Sequence, residues 1–412
     1  MALKRLVDPT RPITYGIVQA GEDVEGGVPY IRPVDMASFA RDLNPAALRT
    51  TAPEIARAYS RSTVRAGDLV LSIGPSYGKL LLVPPRLAGA NLTQGTARLA
   101  PARGTDARFL QWVLFSAPSR AYWASVTGGA TFGGLNLGPL SKTPVPSMSA
   151  SRQAATADFL DHECERLEAL ADEARTLPNA GFRMLQARVR EDLRACGGRS
   201  TRLRYVAQLQ TGATPAEEDI RDSGVAWFTP HAFGVRLIGS PVRYYRYGAE
   251  NLRGTNRASV GVVVIGATAG RVAYMPRGGC ANQQVAILHP READAAEFLC
   301  WSLWSAEAEL ASLAVKTTLP IISIPNVRSF RLPWADAARR DQLNSQWRTQ
   351  EDQLAAISGQ AQAIQALLDE YRDALITEAV TGKLDVTCIS DQQLDESAHA
   401  AMEGERPEVL SA

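Results

Sequence analysis

Apolar side chains in the last quarter of the chain recur alternately every four and three residues. The series is Leu343, Trp347, Leu354, Ile357, Ala361, Ile364, Leu368, Tyr371 and Leu375, with Gln350 its one polar member. A seam kept for more than four heptads predicts a long amphipathic helix that must cover that seam with a partner. The same spacing occurs mid-chain in Leu160, Cys164, Leu167, Ala171 and Ala174. There it runs into Pro178–Asn179 and Gly181, which are expected to kink or break the helix before Phe182–Leu193 resumes. A helix of about 45 residues is about 68 Å long at the standard rise. The natural partner of each helix is the other, paired antiparallel about a pseudo-twofold axis with a module at either end.

Outside these helices the pattern shortens to strand length and is stated twice. Leu69–Ser72 leads into Gly74, Gly78 and Lys79, and Val262–Ile265 leads into Gly266, Gly270 and Arg271. Each is an apolar strand, a Gly-x-x-x-Gly turn and a base. The echo continues in order with Ala90–Asn91 and Ala281–Asn282, then Phe109–Trp112 and Phe298–Trp301, then Leu140–Pro146 and Val327–Pro333. A repeat of this length is a whole module plus a helix, too long for a solenoid unit. Strands are expected at Tyr15–Gln19, Tyr30–Val34, Leu69–Ile73 and Leu80–Val83, with a helix over Ala107–Tyr122 and a Gly-rich loop over Thr127–Gly134. The second module repeats them with strands at Val225–Thr229, Val260–Ile265 and Val272–Met275, a helix through Trp301–Trp304 and a strand or turn over Ile321–Pro325. The divisions read from this are residues 1–150, 151–196, 197–335, 336–384 and 385–412.

Charge follows those divisions although the net charge is only +1. Residues 1–150 hold 16 Lys and Arg against 9 Asp and Glu, and residues 197–335 hold 15 against 10. The helical stretches and the last 28 residues are acidic. Basic repeated modules on acidic helices suggest two polyanion-facing surfaces held by a scaffold that is not itself one. The tail 385–412 is expected to be disordered. Five cysteines without a Cys-x-x-Cys pair fit reduced, mostly buried thiols. With no run of eighteen apolar residues and no signal-peptide core, a cytoplasmic location is expected.

Catalytic constellations are absent from the sequence. The Gly74–Lys79 turn is one residue short of a phosphate-cradling loop and lacks the Ser or Thr that would hold magnesium. The histidines His162, His231, His289 and His399 lie far apart, which favours neither a metal cluster nor a nucleophile–base pair. No catalytic residue and no metal site is expected.

The stretch Leu368–Asp385, with Tyr371–Arg372, Ala374–Leu375–Ile376 and Ala379–Val380–Thr381–Gly382–Lys383, strongly resembles the end of the distal conserved helix in specificity subunits of type I restriction–modification systems. Phe159–Leu170 resembles their central conserved helix, and the Gly67–Val70 strand, the Gly78–Lys79 turn and Ala90–Asn91 resemble their target-recognition domains. The resemblance covers about residues 13–385. It implies a mixed α/β (α+β) fold with two repeated target-recognition domains, 1–150 and 197–335, separated by two long antiparallel conserved helices, 151–196 and 336–384. It also implies a non-catalytic subunit, each domain reading one half of a bipartite target in double-stranded DNA. The helices would set the gap and dock two modification (adenine methyltransferase) subunits, which a restriction (translocase-nuclease) subunit can join. S-adenosylmethionine, ATP and magnesium would belong to those partners, with no cofactor in this chain and no membrane association.

Phosphate contacts need Arg or Lys on one face, and base reading needs side chains that reach a groove edge. The loops after the duplicated strands are the first choice: Ser76, Tyr77 and Lys79 in one module, Thr268 and Arg271 in the other. Arg61, Arg65, Arg98 and Lys142 could support the first module, and Arg243, Arg246, Arg253, Arg257, Lys316 and Arg328 the second. Tyr244–Tyr247 could enter a groove or form a strand with one buried face. Leu160, Leu167, Leu343, Trp347, Leu354, Ile357, Ile364, Leu368, Tyr371 and Leu375 are read as helix-pairing seam. The alternative function is a scaffold that binds a methyltransferase subunit without reading DNA. A chain carrying its own methyltransferase or nuclease activity is a distant third.

Overall fold

The computed structural model describes residues 1–127, 134–250, 254–315 and 319–386. Two long helices dominate the chain, α1 (Ala150–Ala195) and α2 (Ala337–Thr381). Contacts divide it into two units, Met1–Glu173 with the chain from Ala363 on, and Ala174–Gln362. Each unit holds one module and one segment of each long helix.

In the first unit Leu69–Ser72 lies between Leu80–Leu82 and Thr96–Leu99, with Thr14–Tyr15 beyond the latter, all antiparallel. The second unit repeats the order, with Ser259–Val263 between Val272–Met275 and Val285–Pro290, and Ala207–Thr211 beyond. A smaller sheet is duplicated too. Val28–Ile31 pairs antiparallel with Thr50–Thr51 and parallel with Asn91–Leu92; Val225–Phe228 pairs antiparallel with Arg243–Tyr245 and parallel with Gly279–Ala281. The tetrapeptide Leu69–Ser72 is buried on both faces, which explains its continuous apolar run.

The duplicated turns need their second glycine. Gly78 and Gly270 hold φ of +101° and +100°, where a side chain is strained. Their amides close the same hairpin, Gly78 to the Ser72 carbonyl at 3.1 Å and Gly270 to the Val263 carbonyl at 2.8 Å.

Both helices complete both cores. In the first unit Leu160, Cys164 and Leu167 of α1 and Leu375, Ile376, Ala379 and Val380 of α2 pack with Leu3, Phe109 and Trp112. In the second, Leu185, Val189 and Leu193 of α1 and Leu343 and Trp347 of α2 pack with Phe298 and Trp301. Pairing is antiparallel within each unit. Arg152 reaches the Gly382 carbonyl and Gln365 the Ala171 carbonyl, while Leu354 lies over Gly181 and Trp347 donates to Asp192. Gly382, at φ +78°, caps α2 where the Thr-Gly-Lys run ends it.

Several expectations change. α1 runs unbroken through Pro178. One lost backbone bond is borne because packed residues hold the helix on both sides, Leu167 in the first core and Leu185 in the second. Gly181 is not a breaker: a Cβ there would come within 2.5 Å of the Leu354 side chain, so the glycine admits that leucine. The Ala107–Tyr122 helix is instead two, Ala107–Phe115 and Ala117–Thr127, parted at an extended Ser116, because Pro118 has no amide to carry the first helix on to the Leu114 carbonyl. Where a strand or turn is expected over Ile321–Pro325, Ile321 forms isolated bridges to Ile265 and Val315, and a short helix, Ile324–Ser329, capped by Ser323, follows. Ile357 and Ile364 are each 39% exposed and leave the seam. Leu160, Leu167, Leu343, Trp347 and Leu375 are buried, and Leu354, Leu368 and Tyr371 half-buried. Cys164, Cys280 and Cys300 are free and buried, each thiol pushed up to about 12 chiefly by burial. Cys388 and nearly all of the acidic tail lie outside the described residues, as does most of the Thr127–Gly134 loop.

Candidate nucleic-acid interface

The bases that follow the two turns act within their own modules. The Lys79 ammonium donates to the Pro33 carbonyl at 2.9 Å, and the Arg271 guanidinium to the Gly234 carbonyl at 2.8 Å. Each ties the hairpin to the loop after the smaller sheet's central strand, Val28–Ile31 or Val225–Phe228. Tyr77 packs against the core with its hydroxyl 3.0 Å from Thr127 Oγ1, whereas Ser76 and Thr268 are exposed.

A cavity of about 490 Å³ in the first unit gathers Arg11, Arg61, Arg65 and Arg98 with Ser60, Thr63, Thr10 and Thr14. Arg98 is 4% exposed and donates to the carbonyls of Arg61, Thr63 and Pro12. Burial draws its pKa down, and its Nε meets no partner. It therefore braces the cavity wall from inside and is corrected from a surface contact to a buried support. Arg11 is held by both oxygens of Asp68, at 2.8 and 2.6 Å. Arg61 and Arg65 are exposed and in no ion pair among the described residues, which makes them the free cations of this cavity. Lys142 is exposed on the module's surface.

A cavity of about 830 Å³ in the second unit has Gly224, Gly239, Gly254 and Gly279 among its lining, with Tyr244, Tyr247 and Arg277 around it. The tyrosine cluster forms a strand with one buried face. Tyr245 is fully buried on the strand Arg243–Tyr245. Tyr244 lines the cavity, and Tyr247, 71% exposed, stands at its edge. Arg246 is tied to Asp219 and Arg243 is exposed. Arg257 is exposed. Arg253 and Lys316 lie outside the described residues.

A third basic place, also in the second unit, was not found from the sequence apart from Arg328. Arg204, Arg291 and Arg328 line a cavity of about 390 Å³ with Gln208 and Ser329. These arginines are far apart in the chain and meet only because the strand Ala207–Thr211, the end of Val285–Pro290 and the helix Ile324–Ser329 adjoin. Arg277 was missed for the same reason. Among the described residues no cluster of His, Cys, Asp and Glu suits a metal ion, and no helix is long and apolar enough to cross a membrane.

Comparison with known proteins sets this geometry in context. No family model matches the sequence. The EcoBI type I restriction enzyme specificity subunit of Escherichia coli is 30% identical over 121 residues, which span 29% of this chain and 25% of that subunit. A solved structure on the assembly and conformational transition of the type I R-M system aligns over 93% of this chain and 97% of its own, with a TM-score of 0.67 and 17% identity. The chain is thus similar in part of its sequence to a type I restriction specificity subunit, and in fold to a chain of a type I R-M system. The HsdS subunit from Thermoanaerobacter tengcongensis aligns over 93% of this chain and 96% of its own, at a TM-score of 0.49 and 17% identity. The type I R-M system chain that aligns at a TM-score of 0.67 shares the fold of mixed α/β modules and long helices over 93% of this chain. The sequence match covers a quarter of the EcoBI subunit's length.

Proposed function

We propose that this chain is the sequence-specific DNA-binding subunit of a type I restriction–modification complex. Each module reads one half of a bipartite target in double-stranded DNA. The chain is non-catalytic; S-adenosylmethionine, ATP and magnesium act on the modification and restriction subunits. The observation that carries this reading is the duplicated module whose two copies keep one strand frame and differ in their cavities. The first offers Arg61 and Arg65, the second a glycine-walled cleft with Tyr244, Tyr247 and Arg277. Guanidinium groups suit phosphates and guanine edges, and exposed aromatic rings suit apolar or stacking contacts with bases. Leu170, Leu177, Leu367 and Met184 on the long helices are exposed by 41–74% and would be covered by the two modification subunits.

The deciding experiment exchanges residues 1–150 for those of another specificity subunit and reads the methylated sequence in cells that supply the modification subunit. One half of the bipartite site should change and the other stay. A site that changes in both halves, or in neither, removes the reading. Equal affinity of the assembled complex for target and random duplexes would favour the non-reading scaffold.

A further inference from the structure

The arginine-lined place in the second unit gathers three arginines, only one of which the sequence suggested. Arg204, Arg291 and Arg328 converge on one cavity, and Arg331 lies beside it on a strand paired with Arg199–Arg202. All four are exposed and none forms an ion pair among the described residues. The acids nearest in sequence are engaged elsewhere: Glu292 binds Arg340 and the Trp334 indole, and Asp294 also faces Arg340. Three of the four are held in place by neutral groups. Arg291 donates to the Arg204 carbonyl at 3.4 Å and Arg331 to the Ser200 carbonyl at 3.2 Å; Arg204 stacks on Tyr205 and donates to its hydroxyl at 2.9 Å. The positive charge is thus positioned without being neutralised.

The internal repeat supplies a control. Leu3 donates to the Thr143 carbonyl and Leu203 to the Phe330 carbonyl, each at 2.9 Å; Ala102 donates to the Leu6 carbonyl and Arg291 to the Val206 carbonyl, at 2.8 and 2.9 Å. These matched bonds set Lys4, Ala102, Ser141 and Pro144 against Arg204, Arg291, Arg328 and Arg331. One base stands where the second module has four. A charge concentration absent from its own duplicate is not required by the fold.

We infer that Arg204, Arg291 and Arg328 form a phosphate clamp for the DNA backbone, peculiar to the second module and distinct from its base-reading cleft. Guanidinium forks match phosphate oxygens in pairs, and Gln208 and Ser329 in the same cavity add neutral donors. The inference rests on the reading that the chain binds DNA, but not on which sequence it reads.

The test is salt titration of the full chain on a short random-sequence duplex, comparing wild type with Arg291→Gln/Arg328→Gln. Losing two phosphate contacts should lower the slope of log affinity against log salt by about 1.8. Affinity for target and random duplexes should fall by the same factor, and the sequence methylated by the assembled complex should not change. Because both side chains are exposed, an unchanged melting curve is expected; Arg328→Glu alone serves as a second variant and should weaken binding further than Arg328→Gln. An unchanged slope overturns the clamp. So does an unchanged slope with lost modification-subunit binding, which would make the patch a protein-docking surface. Wild type that binds DNA without sequence preference, yet shows the slope change, keeps the clamp and removes the bipartite reading. Wild type that binds no DNA removes both.

Discussion

The guanidinium of Arg236 lies 3.8 Å from the centroid of the Trp301 ring and pairs with Glu351 on α2. This joins the loop between Val225–Phe228 and Arg243–Tyr245 of the second module's small sheet to the duplicated tryptophan and to a long helix. Arg236 is 3% exposed and Glu351 14%. The first unit has the same parts in a wetter setting. Arg41 lies 5.6 Å from the Trp112 centroid and pairs with Asp161 of α1, but the two are 33% and 20% exposed. Asp161 also accepts the Trp112 indole N–H at 2.7 Å. In each unit an arginine, a tryptophan and a helix carboxylate fix the module on the helices that carry it.

Breaking a buried pair by removing one partner leaves an uncompensated charge, whereas a partly exposed pair is screened by water. Arg236→Ala should therefore lower stability by about 3–5 kcal/mol, and Arg41→Ala by about 1 kcal/mol or less. Arg236→Lys should fall between wild type and Arg236→Ala, since it keeps the charge but not the planar stack. Urea unfolding of the three variants measures this; equal losses for Arg236→Ala and Arg41→Ala would contradict it.

The duplicated turn glycines have equal φ and unequal surroundings. A Cβ on Gly78 would meet only Trp123, at 3.9 Å, whereas one on Gly270 would come within 2.7 Å of the Ala311 backbone. Gly78→Ala should cost the strain of a positive φ alone, about 1–2 kcal/mol. Gly270→Ala should cost clearly more, because backbone must move. Thermal melts of the two variants give the comparison, and equal shifts in Tm would be evidence against it.

The heptad seam makes a prediction that separates its packed ends from its open middle. Leu375 is 7% exposed in the first core, while Ile364 is 39% exposed. Leu375→Ala should cost about 2–5 kcal/mol, and Ile364→Ser within about 0.5 kcal/mol. Chemical denaturation reads both. A large loss for Ile364→Ser in the isolated chain would restore it to the seam.

The strand frame was readable because both strand and turn carry local signals: a run of buried apolar residues closed by a glycine that no other residue replaces cheaply. The helices were readable from period alone. What escaped was set by tertiary context. Pro178 looks like a break until cores on either side hold the helix, and Ile364 fits the seam's period although the structure leaves it exposed. Lys79 and Arg271 look like ligand contacts because the sequence does not show the carbonyls of Pro33 and Gly234 waiting for them. Arg98 carries a charge that the sequence places on a surface and the fold places inside. The convergence of Arg204, Arg291 and Arg328 depends on three elements meeting, and no spacing announces it.

Glu307 supplies a prediction about pH. Its carboxylate is largely enclosed; burial raises its pKa, while bonds from the Val272 amide at 2.7 Å and the Gln186 side chain at 3.3 Å oppose the rise without cancelling it. A carboxyl whose pKa is raised on folding favours the folded state while protonated. That contribution is complete below its ordinary value of 4.5 and disappears as pH rises through the higher folded value. Above that folded value the fold therefore carries an ionised group it would hold better neutral. Glu307→Gln keeps the shape and an oxygen for the Val272 amide, so above that folded value it should be more stable than wild type. The advantage should shrink as pH falls toward 4.5, where wild type regains its proton. Paired melts of the two proteins across that range give the difference curve; an advantage that grows as pH falls would reverse the sign and exclude this account.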